Sequence, residues 1–240
     1  MSQASVAEST LAWGGTPLPV WRELLAGRTL VVFRGGGLGD LLLTLPLLLG
    51  LRARAARVIL VARPAYAQLI QPLGLIDRLM PLESAAVSSL WSSTPDPAWR
   101  VSLTNAVALS LLPDPEGQLA AGVRQSGALA CHWVDARSAR GGPISGQLCA
   151  HLGVPWTPGW QECVWLPTPA PSAAVSQERR PCLILHPGSG SASKNTPLSW
   201  FIAWASVWRA LGGSICWTAG EAEGQLIPRL RASMLPADEL

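Results

Sequence analysis

The 240-residue chain is poor in charge, and its basic side chains are almost all arginines. Charged residues make up 14% of it, against roughly 25% in an average soluble domain. Lys194 is the only lysine, and the net charge is +3. The basic residues are not clustered in the sequence. Nucleic-acid-binding proteins concentrate Lys and Arg on one face, so we expect no nucleic-acid partner. The hydrophobic fraction of 49% excludes a disordered chain.

The sequence also lacks a hydrophobic run long enough to span a membrane. The longest run, Leu41–Leu51, is interrupted by Thr44, Pro46 and Gly50, whereas a spanning helix needs roughly 18 apolar residues. The polar stretch Met1–Thr10 has no basic start of the kind that opens a signal peptide. We therefore expect a cytoplasmic protein.

Cysteine is scarce as well, and no two cysteines form a Cys-x-x-Cys pair. The spacing of Cys131–His132 and of Cys149–His151 fits no usual zinc site. We therefore expect no metal and predict reduced, buried thiols at the five positions Cys131, Cys149, Cys163, Cys182 and Cys216.

Short apolar runs alternate with helical patterns in the first two thirds of the chain. The runs predict strands at Thr29–Phe33, Val58–Ala62 and Val107–Leu112. The periodic segments predict helices at Leu41–Arg54, Ala65–Leu73, Gln118–Ala130 and Ile144–Leu152. Strands that alternate with helices imply a parallel sheet with helices on both faces.

The pattern restarts after the Pro-, Ser- and Ala-rich stretch Leu166–Arg180, whose composition is typical of a linker. The restart predicts strands at Cys182–Leu185 and Ser214–Thr218 with a helix at Leu198–Leu211 between them. The sequence therefore predicts an α/β protein with a first domain at 1–166, a linker at 167–180 and a shorter second domain at 181–240.

Three tryptophans lie on one face of the predicted helix in the second domain. Trp200, Trp204 and Trp208 are each four residues apart, which is the spacing of one helical face. Core packing against the sheet is favoured over a ligand or partner surface.

The first glycine loop, Arg34 to Asp40, joins a strand to a helix, where backbone N–H groups and the helix dipole can meet an anion. It is not a dinucleotide fingerprint, because Asp40 stands where the third glycine should be and Arg63, not an acid, follows the next strand. NAD binding is therefore disfavoured. Asp40 itself is open to two interpretations, a stabilising helix N-terminal carboxylate or a general base at a cleft.

The second loop, His186 to Thr196, also joins a strand to a helix and contains the only lysine. It is not a Walker loop, because Ser193 replaces the final glycine and Asn195 follows the lysine. Small residues, hydroxyls and one ammonium group nevertheless suit a phosphate. Phosphate binding is therefore favoured over a solvated turn.

Together these loops resemble a known family. RGGGLGDLLLTLPLLLGLR resembles the opening motif of glycosyltransferase family 9, the heptosyltransferases of lipopolysaccharide core assembly, and LILHPGSGSASKNTPLSWF resembles the start of that family's second domain. AHLGVPW resembles the end of its first domain, and WTAGEAEGQ resembles a later turn. The match is weak from Met80 to Gly142.

The resemblance implies a GT-B fold, with two Rossmann-like domains facing each other across a cleft. The first domain would bind a lipid-linked glycan acceptor and the second an ADP-sugar donor. Transfer would invert the anomeric centre without a metal or a cofactor. A lipid-linked acceptor is compatible with peripheral contact at the inner membrane.

The same resemblance assigns roles to individual residues. Asp40 would deprotonate the acceptor hydroxyl, and Lys194 would neutralise charge developing on the ADP leaving group. The diphosphate would lie against Ser189, Gly190 and Ser191, and the ribose would bind Glu221 or, as the better match, Glu223. The acceptor would approach over Gly36, Gly37 and Gly39, with Arg63 contacting its acidic groups.

The sequence departs from the family in two places. Thr196 stands where the family often has an aromatic residue, and the sequence contains no Asp-x-Gly-x-x-His motif, which helps the family bind its donor. The second domain is therefore expected to be incomplete, with about 60 residues against roughly 150 in a typical domain. An inactive nucleotide- or glycan-binding module of the same fold is the alternative.

Overall fold

The computed structural model describes residues 23–135, 143–156, 181–189, 194–220, 223–236 and 238. The chain divides into two compact units, Met1–Thr168 and Pro169–Leu240. The predicted linker at 167–180 lies outside the described residues.

The described part of the first unit contains a five-stranded parallel sheet in the order β3-β2-β1-β4-β5. Its strands are β1 Thr29–Phe33, β2 Arg57–Ala62, β3 Arg78–Pro81, β4 Val107–Ser110 and β5 Ala130–Trp133. Its helices are α1 Leu38–Leu42, α2 Leu45–Arg52, α3 Pro64–Ile70, α4 Ala85–Ser88, α5 Trp99–Leu103, α6 Gln118–Gln125 and α7 Ile144–His151. Two 3₁₀ turns lie at Gln71–Leu73 and Ser89–Trp91.

Both faces of this sheet are buried, as the continuous apolar runs of its strands predict. Because successive side chains alternate between faces, Leu30 and Val32 of β1 join one core cluster, while Val31 and Phe33 join the other. Helices α2 and α7 contribute to the first cluster, and α5 and α6 contribute to the second. The prediction of helices on both sides of a parallel sheet is confirmed.

The predicted helix Leu41–Arg54 is wrong, because the segment folds as α1 and α2 with a break at residues 43 and 44. Pro46 explains the break, since it has no N–H to continue the hydrogen bonding of α1 and fits well in the first turn of α2. Helix α1 also begins earlier than predicted, at Leu38.

The predicted helix Gln118–Ala130 is too long. It ends at Gln125, and Gly127 then adopts a φ of +103°, which terminates the helix. Ala130 opens strand β5, which the sequence did not predict, and β3 was missed in the same way. Both are four-residue strands at the two edges of the sheet.

The described part of the second unit contains two parallel strands and two helices. These are β6 Cys182–Leu185, α8 Leu198–Ala210, β7 Ser214–Trp217 and α9 Ile227–Ser233. Leu185, Ala205, Ile215, Trp217 and Leu230 form its buried core.

The predicted burial of the tryptophan stripe is wrong for two of its members. Trp200 is 60% exposed and Trp204 is 48% exposed, and their rings stand edge to face. Trp208 alone packs against the core, and its indole N–H donates to the Pro181 carbonyl. The other residues that α8 packs into the core are Leu198, Phe201, Ile202 and Ala205.

The cysteines differ in how deeply they are buried. Cys131 and Cys149 are buried as predicted, and burial raises the pKa of their thiols to about 12 and about 11. The prediction is wrong for Cys182, which is exposed, while Cys216 is half-buried and Cys163 lies outside the described residues.

Across the described ranges, no helix has both the length and the apolar character needed to cross a bilayer.

His132 on β5 makes the first unit sensitive to acid. It is only 1% exposed, and burial, followed by the charges of Arg124 and His151, lowers the pKa of its imidazole to about 4. In the unfolded chain the same group titrates near 6.5. The unfolded chain therefore binds more protons below pH 6.5, so this stability is complete above pH 6.5 and is lost as the pH falls towards 4.

We expect His132→Met to reduce the acid sensitivity of the first unit. The wild-type contribution that is lost between pH 7 and pH 5 is about 2 kcal/mol, and the variant should not show it. Urea unfolding of the full chain at both pH values measures this difference. His186→Met, the same exchange in the second unit, should keep the wild-type loss, and equal losses in all three chains would contradict the assignment.

Candidate functional site

The strand order places a switch point between β1 and β4. From β1 the chain moves to β2 and β3 on one side, then returns to β4 on the other side. Ligands of open α/β sheets bind at the carboxyl ends of strands beside such a point. A cavity of about 240 Å³ opens there, lined by Arg34, Gly35, Gly36 and Asp40 after β1, Leu111, Leu112 and Pro113 after β4, and Trp133, Val134 and Asp135 from the end of β5.

Asp40 is a helix N-terminal carboxylate that also lines the cavity. It is the third residue of α1, and its carboxylate Oδ2 accepts a 2.8 Å hydrogen bond from the N–H of Gly37, the residue that precedes the helix. This is the carboxylate half of a capping box. The side chain is also 49% exposed and lines the cavity, so the carboxylate that caps the helix is accessible to a ligand.

Arg34 lies beneath this carboxylate and is only 6% exposed. Its Nη2 is 3.4 Å from Asp40 Oδ1, and its Nε donates to the Asp40 carbonyl and to Thr44 Oγ1, both at 3.0 Å. Thr44, which is fully buried, donates its hydroxyl to the same carbonyl at 2.8 Å. Burial lowers the pKa of the Arg34 guanidinium, and the charge of Asp40 raises it in part.

The three glycines predicted on the acceptor side differ in what they do. Gly36 has a φ of +87°, and a Cβ added there would lie 2.2 Å from Asp40 Oδ2. Gly37 precedes α1 and donates to Asp40. Gly39 lies within α1, and nothing lies within 4 Å of an added Cβ there. Only Gly36 is therefore required as glycine by both backbone and space.

Arg63 follows β2 and pairs with Glu83, which follows β3. Arg63 Nε is 3.0 Å from Glu83 Oε1, and both side chains are more than half exposed. Arg63 is not among the described residues that line the cavity. Its predicted contact with acidic groups of an acceptor remains a prediction, and Glu83 already offsets its charge.

The sequence reasoning missed Arg34, Trp133 and Asp135 as members of the site. Arg34 is the first residue of the glycine loop, but the motif alone assigned it no role of its own. Trp133 and Asp135 lie at the end of β5, a strand that was not predicted. Their only signal was position, since residues that follow the carboxyl end of a parallel strand tend to face the site.

In the second unit, the loop after β6 packs against the turn after β7. His186 Nδ1 lies 3.0 Å from the Thr218 carbonyl oxygen and 3.1 Å from Thr218 Oγ1. A Cβ added to Gly188 would lie 2.0 Å from Glu223 Cγ, so the two segments are in close contact. Glu223 is 5% exposed, and its Oε2 accepts a 2.8 Å hydrogen bond from the Gly220 N–H.

Two of the predicted phosphate-binding residues, Ser189 and Lys194, lie in the described part of the loop before α8. Ser189 Oγ donates to Asn195 Oδ1 at 2.7 Å, which closes the loop on itself. Lys194 is exposed and lies four residues before Leu198, the first residue of α8. Gly190, Ser191 and Glu221 lie outside the described residues. The second unit thus places Gly188, Ser189 and Glu223 together, at the carboxyl ends of its two strands.

No protein-family model matches the sequence, and no curated protein matches it significantly. Solved structures of glycosyltransferases resemble the chain. The glycosyl transferase family 9 protein of Veillonella parvula covers 90% of this chain and 70% of its own, with a TM-score of 0.61 and 15% identity. E. coli heptosyltransferase WaaC with ADP-2-deoxy-2-fluoro heptose covers 88% and 76%, with a TM-score of 0.55 and 16% identity.

The third structure is E. coli ADP-heptose lps heptosyltransferase II, with a TM-score of 0.56, 14% identity and coverage of 88% and 71%. All three matches include most of both units of this chain. The chain has the GT-B-type fold of these glycosyltransferases. The predicted fold class, two Rossmann-like units with parallel sheets, is confirmed, and the chain spans 70 to 76% of these three relatives' lengths.

Within the described GT-B-type chain, no group of three or more His, Cys, Asp or Glu side chains is placed to hold a metal ion. The titratable groups found at the cavity of the first unit are Arg34, Asp40 and Asp135. This set can bind a polar ligand and accept a proton from it.

Proposed function

We propose that the protein is a glycosyltransferase that moves a heptose-like sugar from an ADP-sugar to a glycan of the lipopolysaccharide core type. Transfer inverts the anomeric centre and requires no metal. The observation that carries this proposal is Asp40, a half-exposed carboxylate in a cavity at the switch point of a fold that heptosyltransferases share.

Asp40 is the general base of the proposed reaction. An acceptor hydroxyl in the cavity donates its proton to the carboxylate while its oxygen attacks the anomeric carbon of the donor. The bond between that carbon and the ADP oxygen breaks, and ADP leaves with the electron pair. Gly36 supports this role, since any larger residue would occupy the space of the carboxylate.

The second unit binds the ADP portion of the donor. Lys194 stands before α8, where its ammonium group and the positive end of the helix dipole both favour a diphosphate. As the sugar leaves, negative charge grows on the departing ADP oxygen, and a fixed cation stabilises it. Glu223 lies on the turn proposed to hold the ribose.

The proposal is tested by incubating the full chain with ADP-heptose and a deacylated lipopolysaccharide core glycan. We expect release of ADP together with a glycan heavier by one heptose, and the same yield in the presence of EDTA. ADP binding by calorimetry is measured in parallel. A chain that neither binds ADP nor releases it from ADP-heptose would overturn the proposal, and binding without transfer would support the binding module instead.

We expect Lys194→Ala to weaken ADP binding by roughly tenfold to a hundredfold, because a charge-assisted contact to phosphate is lost. Calorimetry of the full chain measures the dissociation constant. Arg231→Ala removes an exposed cation of α9 in the same unit and should leave the constant unchanged. Equal effects of both substitutions would indicate general charge rather than a phosphate contact.

A further inference from the structure

We infer that Arg34 is a positioning residue for Asp40, which holds the backbone carbonyl and the carboxylate of that residue in one orientation towards the cavity. The catalytic consequence rests on the proposed function, whereas the positioning itself does not. The inference stands on the contacts among four residues of the described first unit, Arg34, Gly37, Asp40 and Thr44.

The guanidinium contacts Asp40 at two separate points. Its Nε–H reaches the main-chain carbonyl at 3.0 Å, and its Nη2 lies 3.4 Å from the carboxylate. One planar group therefore links the backbone and the side chain of the same residue, which restricts rotation about the bonds between them. A lysine has a single point charge on a flexible stem and cannot hold both groups in this way.

The two carboxylate oxygens are held by different partners. Oδ2 accepts the Gly37 N–H at 2.8 Å, and Oδ1 faces the guanidinium. The N–H holds one carboxylate oxygen, and the cation lies beside the other. Because the side chain is still 49% exposed, the carboxylate retains lone pairs that a hydroxyl in the cavity can reach.

Thr44 fixes the guanidinium in turn. Its hydroxyl accepts from Arg34 Nε at 3.0 Å and donates to the Asp40 carbonyl at 2.8 Å, which closes a triangle of three groups. The residue is fully buried at the break between α1 and α2. The helix break caused by Pro46 therefore brings a hydroxyl to the cation that orients the candidate base.

Stability alone is a weak reason for an arginine at this place. Burying a charge is costly, and a well-packed apolar side chain at a buried ion-pair position is often as stabilising or more so. Arg34 is 6% exposed, yet its partner carboxylate faces the cavity rather than the core. A buried cation beneath an accessible carboxylate limits the movement of that carboxylate.

The experiment compares wild type, Arg34→Met, Arg34→Lys and Thr44→Val as full chains. Aspartate labelled with ¹³C at the carboxyl carbon reports the mobility of the Asp40 carboxylate by NMR relaxation, whether or not the protein transfers a sugar. We expect this carboxylate to become more mobile in Arg34→Met, since the guanidinium that links it to its own backbone carbonyl is gone. Arg34→Lys should leave it mobile, and Asp135, the other cavity carboxylate, should relax alike in all four chains.

Transfer kinetics supply the second measurement. Arg34→Met should lower kcat by tenfold to a hundredfold with an unchanged KM for the ADP-sugar. Arg34→Lys should not recover kcat, and Thr44→Val should lower it by a smaller factor. Unchanged relaxation of the Asp40 carboxylate in Arg34→Met, or a kcat of Arg34→Lys equal to wild type, overturns the inference. Increased mobility of this carboxylate in a chain that transfers nothing would instead refute the proposed function alone.

Discussion

Asp40→Asn is expected to lower sugar transfer by roughly 10²- to 10⁴-fold, which is the usual contribution of a general base. The amide cannot accept the proton of the acceptor hydroxyl, but it has nearly the same shape as the carboxylate. Its oxygen can still accept from the Gly37 N–H, so the start of α1 should be preserved. ADP affinity should not change, because the proposed ADP contacts belong to the second unit.

Release of ADP from ADP-heptose measures the loss, and calorimetry checks that ADP still binds. Asp96→Asn is the matched control, because it makes the same exchange in the same unit on a turn where Asp96 Oδ1 accepts from the Ala98 N–H. That variant should transfer at the wild-type rate. Turnover of Asp40→Asn within threefold of wild type would remove Asp40 from the role of base.

The strands that the sequence predicted well are those made of consecutive apolar residues. β1 and β6 were placed at their observed bounds because each is a run of apolar residues before a glycine-containing loop. β3 and β5 could not be found in this way. Each has four residues, contains Arg or His, and is a strand only because a neighbouring strand, β2 or β4, pairs with it.

Helix α8 shows a second limit of sequence reasoning. Its residues are apolar on nearly every side, so the period of the tryptophans could not indicate which face would be buried. The described sheet beside it has two strands and covers the face that carries Ala205. Trp200 and Trp204 are therefore left exposed, although their spacing is that of a core stripe.

The sequence predicted members of the candidate site that belong to one loop, but it did not predict those that lie on other strands. Asp40 and Gly36 belong to one contiguous motif. Trp133 and Asp135 join them only because β5 lies beside β4 and β4 beside β1, an order that sequence patterns do not specify. The pairing of Arg63 with Glu83 has the same origin, since β2 and β3 are neighbours.

Gly36→Ala is expected to impair transfer by tenfold or more while the protein still folds. The added methyl group would lie 2.2 Å from Asp40 Oδ2 and 2.8 Å from its Cγ, so the carboxylate must move. A φ of +87° adds backbone strain that alanine tolerates poorly, with a cost of about 1–2 kcal/mol in the free energy of unfolding. Because displacement of a reacting group by about 1 Å can cost 10²-fold in rate, the kinetic effect should exceed the loss of stability.

Gly39→Ala separates this steric effect from a general need for glycine in the loop. Gly39 lies three residues further on within α1, and an alanine Cβ there would meet nothing within 4 Å. Alanine favours a helix over glycine, so the free energy of unfolding of this variant should rise by about 0.5–1 kcal/mol and its unfolding temperature should rise slightly. The variant should transfer the sugar at the wild-type rate. Transfer rates and thermal unfolding of both variants measure the contrast. If Gly39→Ala were as impaired as Gly36→Ala, the loop glycines would act through close approach of the acceptor rather than through the space that the Asp40 carboxylate needs.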